Sequence, residues 1–225
     1  MWAFFVVVLA PIFQFFLGVA AYLGGDAADR VSAGQVQRGS VSRIVAALLC
    51  ADVRGFTSFA EETAPEEVTR RLNGIFDCLG DPVRAADGEI LKFLGDGVLA
   101  VFLPRDGANL AVVTPAALGA ARETLARVEA LNAVETAAGN PPLSLNIALH
   151  AGEVTYGNIG TADRLDFTVI GPAVNEAARL EGWCKVLGKQ ILISKSFAQD
   201  VREQLSSVGQ HPLRGVREAQ EVFTV

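Results

Sequence analysis

Two aspartates at the ends of apolar runs suggest chemistry on a phosphate group. Asp96 lies in the Gly-Asp-Gly turn of residues 95–97, inside a mostly apolar stretch over 89–102, which is typical of a β-hairpin with an acidic tip. Asp52 follows the apolar run 44–51 and precedes a loop that contains glycine. Carboxylates at the ends of neighbouring buried strands are usual protein ligands of a hydrated Mg²⁺ ion, which also binds substrate phosphates. The pair therefore predicts a metal-dependent phosphate site.

Other polar residues add detail to this prediction. Gly95 and Gly97 can both adopt positive φ, so we expect a tight turn that presents the carboxylate between them outward. Lys92 interrupts the first apolar run of the hairpin, where an apolar residue would be expected. Asn175 and Arg179 are four residues apart on a predicted helix and therefore project from one face. By itself, such a pair usually indicates only solvated surface.

Three segments together resemble the class III nucleotidyl cyclases. Residues 51–59 and 92–97 resemble two metal-binding motifs of that family, and residues 166–181 resemble its base-, ribose- and phosphate-binding segment. The resemblance covers roughly residues 41 to 225. It implies a ferredoxin-like βαββαβ core of the nucleotidyl cyclase type, with helices packed on a mainly antiparallel sheet. It also implies adenylate cyclase activity, in which ATP becomes 3′,5′-cyclic AMP and pyrophosphate.

The resemblance assigns roles at the phosphate end of the site. Asp52 and Asp96, together with the Val53 carbonyl, would bind Mg²⁺ or Mn²⁺ as a pair of ions in each site. Backbone N–H groups would hold the triphosphate, namely those of Gly55, Phe56 and Thr57. Arg214 would contact the terminal phosphates. Asn146 stands where many relatives have a phosphate-binding arginine, which leaves binding of the β- and γ-phosphates less fully assigned.

The resemblance also assigns the base and ribose contacts. The Lys92 ammonium would donate to N1 of adenine and the Thr168 hydroxyl would accept from the 6-amino group, an arrangement that opposes guanine. Threonine at this position marks a subgroup that includes bicarbonate-responsive bacterial cyclases. Asn175 would orient the ribose, and Arg179 would stabilise charge that develops on the α-phosphate. A guanylate cyclase, which Lys92 opposes, and a non-catalytic cyclase-like module remain as alternatives.

Partners follow from the same family pattern and from the charge. Family members take the metal aspartates from one chain and the base, ribose and transition-state residues from the other. A chain that carries all of these should form a head-to-tail homodimer with its sites at the interface, and its monomer should be inactive. The net charge of −6 and a pI near 5.0 argue against a nucleic-acid partner.

The remaining sequence predicts the elements that position these residues. Strands are expected at 44–51, 88–102 (the hairpin), 143–150, 167–170 and 190–193, with a final strand pair over 210–225; helices are expected at 65–84, 109–138 and 173–186. This order indicates an α+β fold with the helices on one face of the sheet. A loop is expected after Asp52.

The first 23 residues differ from the rest of the chain. They carry no charged side chain and are long enough to cross a bilayer core, and the basic residues that follow would keep the catalytic domain in the cytoplasm. We expect membrane association of this segment, against a packing helix or the remnant of a longer N-terminal region. Residues 24–42 are expected to be a connector, and residues 43–225 the catalytic domain.

Overall fold

The computed structural model describes residues 41–104, 109–161, 165–212 and 219–225. The predictions for residues 1–23, for nearly all of the connector and for Arg214 therefore lie outside the described residues. The chain divides into a larger unit within residues 43–155 and 170–225, and a smaller unit, of which residues 41–42, 156–161 and 165–169 are described. No helix in the described ranges combines the length and the low polarity needed to span a bilayer.

The described elements alternate between strands and helices. In chain order they are β1 (Val41–Arg54), α1 (Phe56–Glu62), α2 (Pro65–Ala85), β2 (Gly88–Leu94), β3 (Gly97–Phe102), α3 (Leu110–Ala137), β4 (Ser144–Gly160), β5 (Leu165–Ile170), α4 (Pro172–Leu187), β6 (Ile191–Ser194), α5 (Lys195–Ala198), β7 (Ser206–His211) and β8 (Gln220–Thr224). The strand order in the sheet is β2-β3-β1-β4-β6-β8-β7, and β5 pairs with β4.

The first half of the chain forms the predicted ferredoxin-like core. The elements β1, α2, β2, β3, α3 and β4 follow one another in βαββαβ order, and their strands lie in the order β2-β3-β1-β4. The pairs β1–β3, β2–β3, β6–β8 and β7–β8 are antiparallel, whereas β4–β6 is parallel. The mainly antiparallel α+β fold is therefore confirmed.

The two faces of the sheet carry different helices, which corrects the expectation that all helices share one face. Successive residues of a strand point to opposite faces. In β1, Ala47, Leu49 and Ala51 belong to the large core formed with α2 and α3. Cys50, on the other face, packs with the cluster that contains Leu180 and Cys184 of α4. The helix α4 thus covers the face opposite α2 and α3.

Local sequence signals explain the start of α2, whereas two short helices were not expected from the sequence. Helix α2 begins at Pro65, and Glu66 and Glu67 lie in its first turn, where a fixed φ and negative charge favour a helix N-terminus. The expected loop after Asp52 is instead the short helix α1, whose N-cap, Gly55, has φ of 73°. The helix α5 was likewise not expected from the sequence.

Strand β4 extends well past the predicted end at residue 150 and includes Gly152. A glycine in a strand interior often marks a place where another part of the chain approaches closely. A Cβ atom at Gly152 would lie only 2.8 Å from the Cβ of Ala173, so the glycine permits close packing against the first turn of α4. Glycine here serves the contact between a strand and a helix and does not end the strand.

A buried ionic cluster joins α2 to the end of α3. Arg70 Nη1 donates to Glu135 Oε1 at 2.7 Å, and Asn140 Nδ2 donates to Glu135 Oε2 at 2.7 Å. The guanidinium of Arg71, which is 2% exposed, lies 3.6 Å from the same carboxylate and donates to the Pro141 carbonyl at 2.7 Å. The hydrogen bonds from Arg70 hold the pKa of Glu135 down at about 2.

Candidate active site

Asp52 lies near the end of β1, where it faces Gly97 of the paired strand β3. A Cβ atom at Gly97 would lie 3.1 Å from Asp52 Oδ1 and 3.2 Å from the Ala51 carbonyl oxygen. Gly97 does not have positive φ, so the prediction for this residue is wrong. Its role is to leave space beside the Asp52 carboxylate.

Asp96 occupies the tip of the β2–β3 hairpin, as predicted. Leu94 pairs with Gly97, so the turn consists of Gly95 and Asp96, and Gly95 has the predicted positive φ of 70°. A glycine at the first position of a two-residue turn matches the right-handed twist of the flanking strands. The hairpin therefore presents a carboxylate at the same end of the sheet as Asp52.

The two carboxylates interact electrostatically. Partial burial, together with the negative charge of Asp96, raises the pKa of Asp52 to about 6. A cation between them would relieve this repulsion, and the glycine at position 97 avoids a Cβ atom that would crowd the Asp52 carboxylate. Across the described ranges, no three or more His, Cys, Asp or Glu side chains lie close enough together to hold a metal ion. The donor set thus fits a hard cation that keeps water and substrate ligands.

The backbone after Asp52 contributes polar groups. Val53 is buried and its side chain carries no polar atom, so its backbone carbonyl is the group that a metal ion would use. Gly55 caps α1, and the first intrahelical hydrogen bond runs from Phe59 N to Gly55 O at 3.2 Å. The first N–H groups of a helix, here those of Phe56 and Thr57, have no intrahelical acceptor and favour anions.

A β-bulge in β2 determines the direction of Lys92. Ile90 pairs with Ala100, whereas Lys92 pairs with Leu99, so Leu91 is the extra residue. Leu99 also pairs with Cys50 of β1, and directly opposed residues share a sheet face. The bulge therefore turns Lys92 away from the α2–α3 face and onto the face of Asp52. If Leu91 were instead paired in regular register, Lys92 would lie on the same face as Ile90, toward the helical core.

Helix α4 carries Asn175 and Arg179, as predicted. Its apolar stripe anchors it to the sheet through Ala173, Ala177, Leu180 and Cys184, each of which is buried. Asn175 is exposed and Arg179 is half-buried. The two polar side chains thus lie outside the anchored stripe, on the helix that covers the face of Asp52 and Lys92.

Thr168 belongs to the smaller unit, where it lies on β5. Its side chain is 3% exposed, and its Oγ1 has no hydrogen-bond partner among the described residues. A buried hydroxyl without a partner is uncommon in native structures and indicates a missing ligand, water or ion. In the same unit, the rings of Tyr156 and Phe167 pack edge to face at 4.6 Å.

Three polar residues on α4 and β4 were not assigned to the site from the sequence. Asn146 and His150 are buried in β4, and Glu181 of α4 hydrogen-bonds with Asn146. Burial raises the pKa of Glu181, with a further contribution from Asp52, and burial lowers the pKa of His150 to about 4. Two polar residues four apart in the otherwise apolar segment 145–151, and therefore on one face of a strand, are the signal that could have identified the two strand residues.

Comparison with known proteins identifies relatives of the whole described domain. The family model for the adenylate and guanylate cyclase catalytic domain matches residues 41–225. An adenylate cyclase of Anabaena cylindrica is 36% identical over 170 residues, which are 74% of this chain and 32% of that protein. This chain therefore spans about a third of that relative's length.

Solved structures include cyclases of both nucleotide specificities. The adenylyl cyclase CyaB from P. aeruginosa is 26% identical, with a TM-score of 0.75 over 82% of this chain and 94% of that chain. A guanylyl cyclase is 28% identical, with a TM-score of 0.71 over 81% of this chain and 91% of that chain. Structural similarity alone does not separate the two substrates.

Proposed function

Because this chain belongs to the adenylate and guanylate cyclase catalytic-domain family, we propose that it is an adenylate cyclase that converts ATP to 3′,5′-cyclic AMP and pyrophosphate. The observation that carries the proposal is the convergence of Asp52 and Asp96 at one end of the sheet, with Lys92 turned onto the face of Asp52 by the bulge in β2. The adenylate cyclase relatives support the same activity.

Catalytic domains of this family depend on divalent metal. We assign the ligands to the Asp52 and Asp96 carboxylates and the Val53 carbonyl, and we favour Mg²⁺ or Mn²⁺ as a pair of ions. When bound, such ions neutralise phosphate charge and lower the pKa of the ribose 3′-hydroxyl. The electrostatic repulsion between Asp52 and Asp96 supports this assignment, because it disappears when positive charge is bound.

The base contacts distinguish ATP from GTP. Lys92 donates to N1 of adenine, which is an acceptor, whereas N1 of guanine carries a proton. The Thr168 hydroxyl accepts from the 6-amino group, and its present lack of a partner within the described chain supports a role in ligand binding. Guanylate cyclase activity is the second candidate, supported by the solved guanylyl cyclase, and Lys92 opposes it.

Reaction requires the ribose to be oriented and the charge on the phosphate to be stabilised. Asn175 hydrogen-bonds to the ribose and holds its 3′-oxygen for attack on the α-phosphorus. The 3′-hydroxyl gives its proton to water, the new O–P bond forms as the bond to pyrophosphate breaks, and Arg179 stabilises the negative charge on the α-phosphate oxygens. The backbone N–H groups of Phe56 and Thr57, with that of Gly55, bind the departing phosphates.

A second copy of the chain completes each site in this proposal. Class III cyclases typically form dimers. One protomer supplies Asp52 and Asp96, while its partner supplies base, ribose and transition-state contacts, and Arg214 contributes to the terminal phosphates. The arrangement is a head-to-tail homodimer with two-fold symmetry, so each dimer has two sites.

Product analysis of the purified full chain tests the proposal. The protein is incubated with ATP or GTP and with Mg²⁺ or Mn²⁺, and cyclic nucleotides are separated chromatographically. We expect cyclic AMP from ATP and little cyclic GTP, and Asp52→Ala should abolish both. Cyclic GTP as the dominant product would establish the second candidate, and no product with any combination would favour a non-catalytic module.

A further inference from the structure

A third carboxylate interacts with the two metal-site aspartates. Glu181 belongs to α4, the helix packed on the sheet face that carries Asp52, and its helix neighbours Leu180 and Cys184 pack with Cys50, two residues before Asp52. The negative charge of Glu181 interacts with those of both Asp52 and Asp96, and its side chain hydrogen-bonds with the amide of Asn146. Glu181 therefore adds a negative charge to the surroundings of the two aspartates.

Strand β4 fixes the position of this carboxylate. Asn146 is 5% exposed and hydrogen-bonds with Glu181. The amide of Asn146 therefore hydrogen-bonds with the Glu181 carboxylate, while its carbonyl oxygen, Oδ1, has no partner within the described part of the chain. An unpaired buried acceptor is costly and is seldom kept without a functional reason. The amide is thus committed to holding Glu181.

We propose that Glu181, held by Asn146, is a positioning residue of the metal site that accepts hydrogen bonds from the water ligands of the bound cation. This inference rests on the metal site assigned under the proposed function. Glu181 does not ligate the ion, because no three described acidic, His or Cys side chains are close enough to share one. Mg²⁺ keeps several waters, which need acceptors around them. Carboxylates next to the direct ligands commonly supply those acceptors and orient the site.

Direct metal binding tests this role without relying on turnover. Mn²⁺ is titrated into the full chain without nucleotide, and free Mn²⁺ is measured by electron paramagnetic resonance. Glu181→Gln, which keeps the side-chain size, should raise the Kd for Mn²⁺ about tenfold, the lower end of the usual effect of such residues. Asn146→Ala should raise it by a smaller factor, since the carboxylate remains but is no longer held.

Glu153→Gln is the matched control. Glu153 lies on β4 like Asn146, its side chain is 64% exposed, and it pairs with the exposed Arg43 at 3.9 Å. This variant should bind Mn²⁺ with the wild-type Kd. For Glu181→Gln, saturating Mn²⁺ should restore most of kcat, because the residue acts through occupancy of the ion site.

The outcomes separate this inference from the proposed function. A wild-type Kd in Glu181→Gln, with loss of Mn²⁺ binding in Asp52→Asn, would reject the role of Glu181 and keep the metal site. Equal weakening by Glu181→Gln and Glu153→Gln would also reject it, since the effect would reflect net charge alone. Failure of the wild-type chain to bind Mn²⁺ would overturn both assignments.

Discussion

Asp52 shows how a single residue can lower stability in the absence of its ligand. Its carboxyl has a raised pKa in the folded chain because it is partly buried and lies near Asp96. The protonated form is thus favoured by folding, while the ionised form opposes it. Stability of the metal-free protein should fall as pH rises from about 4 to about 6, between the unfolded and folded pKa values, and the cost should remain above that range.

We therefore expect Asp52→Asn to raise the Tm of the metal-free protein at pH 7.5. The increase should be smaller at pH 4.5, where the wild-type carboxyl is largely protonated in the folded state. Thermal unfolding in the presence of a chelator measures both values. An equal increase at the two pH values would show that relief of ionisation is not the cause.

Base selectivity also belongs to the residue scale. Replacing Lys92 by Glu together with Thr168 by Cys reverses the donor and acceptor roles that we assign at the base. The ratio of kcat/KM for ATP to that for GTP should fall by about tenfold or more, and total activity should decrease. Steady-state kinetics with both nucleotides measures the ratio. An unchanged ratio would place base recognition on other residues.

At the scale of elements, the sequence predicted the order and bounds of the helices and strands better than the sheet face on which each helix or side chain lies. The hairpin over 88–102 and helices α2, α3 and α4 were predicted within a few residues, because turns, caps and apolar periodicity are local signals. The face covered by α4 depends on long-range packing, and the bulge at Leu91 depends on pairing with β3. Neither can be derived from a single segment. The assigned roles of the site residues remain predictions.

The cluster around Glu135 makes a prediction about the contact between α2 and α3. Glu135→Gln would leave the buried Arg71 guanidinium without its anionic neighbour, and breaking such a buried pair costs about 3 kcal/mol. Urea unfolding at pH 7 should show this loss. Glu67→Gln is the control, because Glu67 pairs with the exposed Arg70 and its loss should lower stability much less. Equal losses in the two variants would contradict a special role for the buried cluster.

At the scale of the whole molecule, the sharpest consequence of the proposal is a shared site. Asp52 and Arg179 belong to different protomers at each site in the proposed dimer. Asp52→Ala and Arg179→Ala should each be inactive alone, since every site of a symmetric dimer then lacks one component. In a mixed dimer, one site carries both changes and the other carries neither.

Co-expression of the two variants should therefore restore activity. If half of the dimers are mixed, about a quarter of wild-type activity should return, because each mixed dimer has one intact site. Differently tagged copies allow mixed dimers to be purified and counted. Mixed dimers without activity would indicate that Asp52 and Arg179 act from the same chain.

Membrane association of residues 1–23 also remains a prediction about the whole molecule. Flotation of the full chain with lipid vesicles tests it.

The extra residue in β2 implies that two kinds of mutation should be tolerated at one position. Leu91→Ala keeps the residue count, so Lys92 should keep its face and the protein most of its activity. Deletion of Leu91 removes the bulge and makes Ile90 and Lys92 neighbours, which can keep their pairing with Ala100 and Leu99 and therefore stay on opposite faces of the sheet. We expect this variant to retain most of its cyclic AMP synthesis, with circular dichroism reporting whether the fold survives, and loss of synthesis in a folded variant would show that the bulge itself is required. In a combined scan of substitutions and single-residue deletions, position 91 should thus accept both kinds of change, so the property under selection there would be the pairing of Lys92 with Leu99 and not the identity of the leucine.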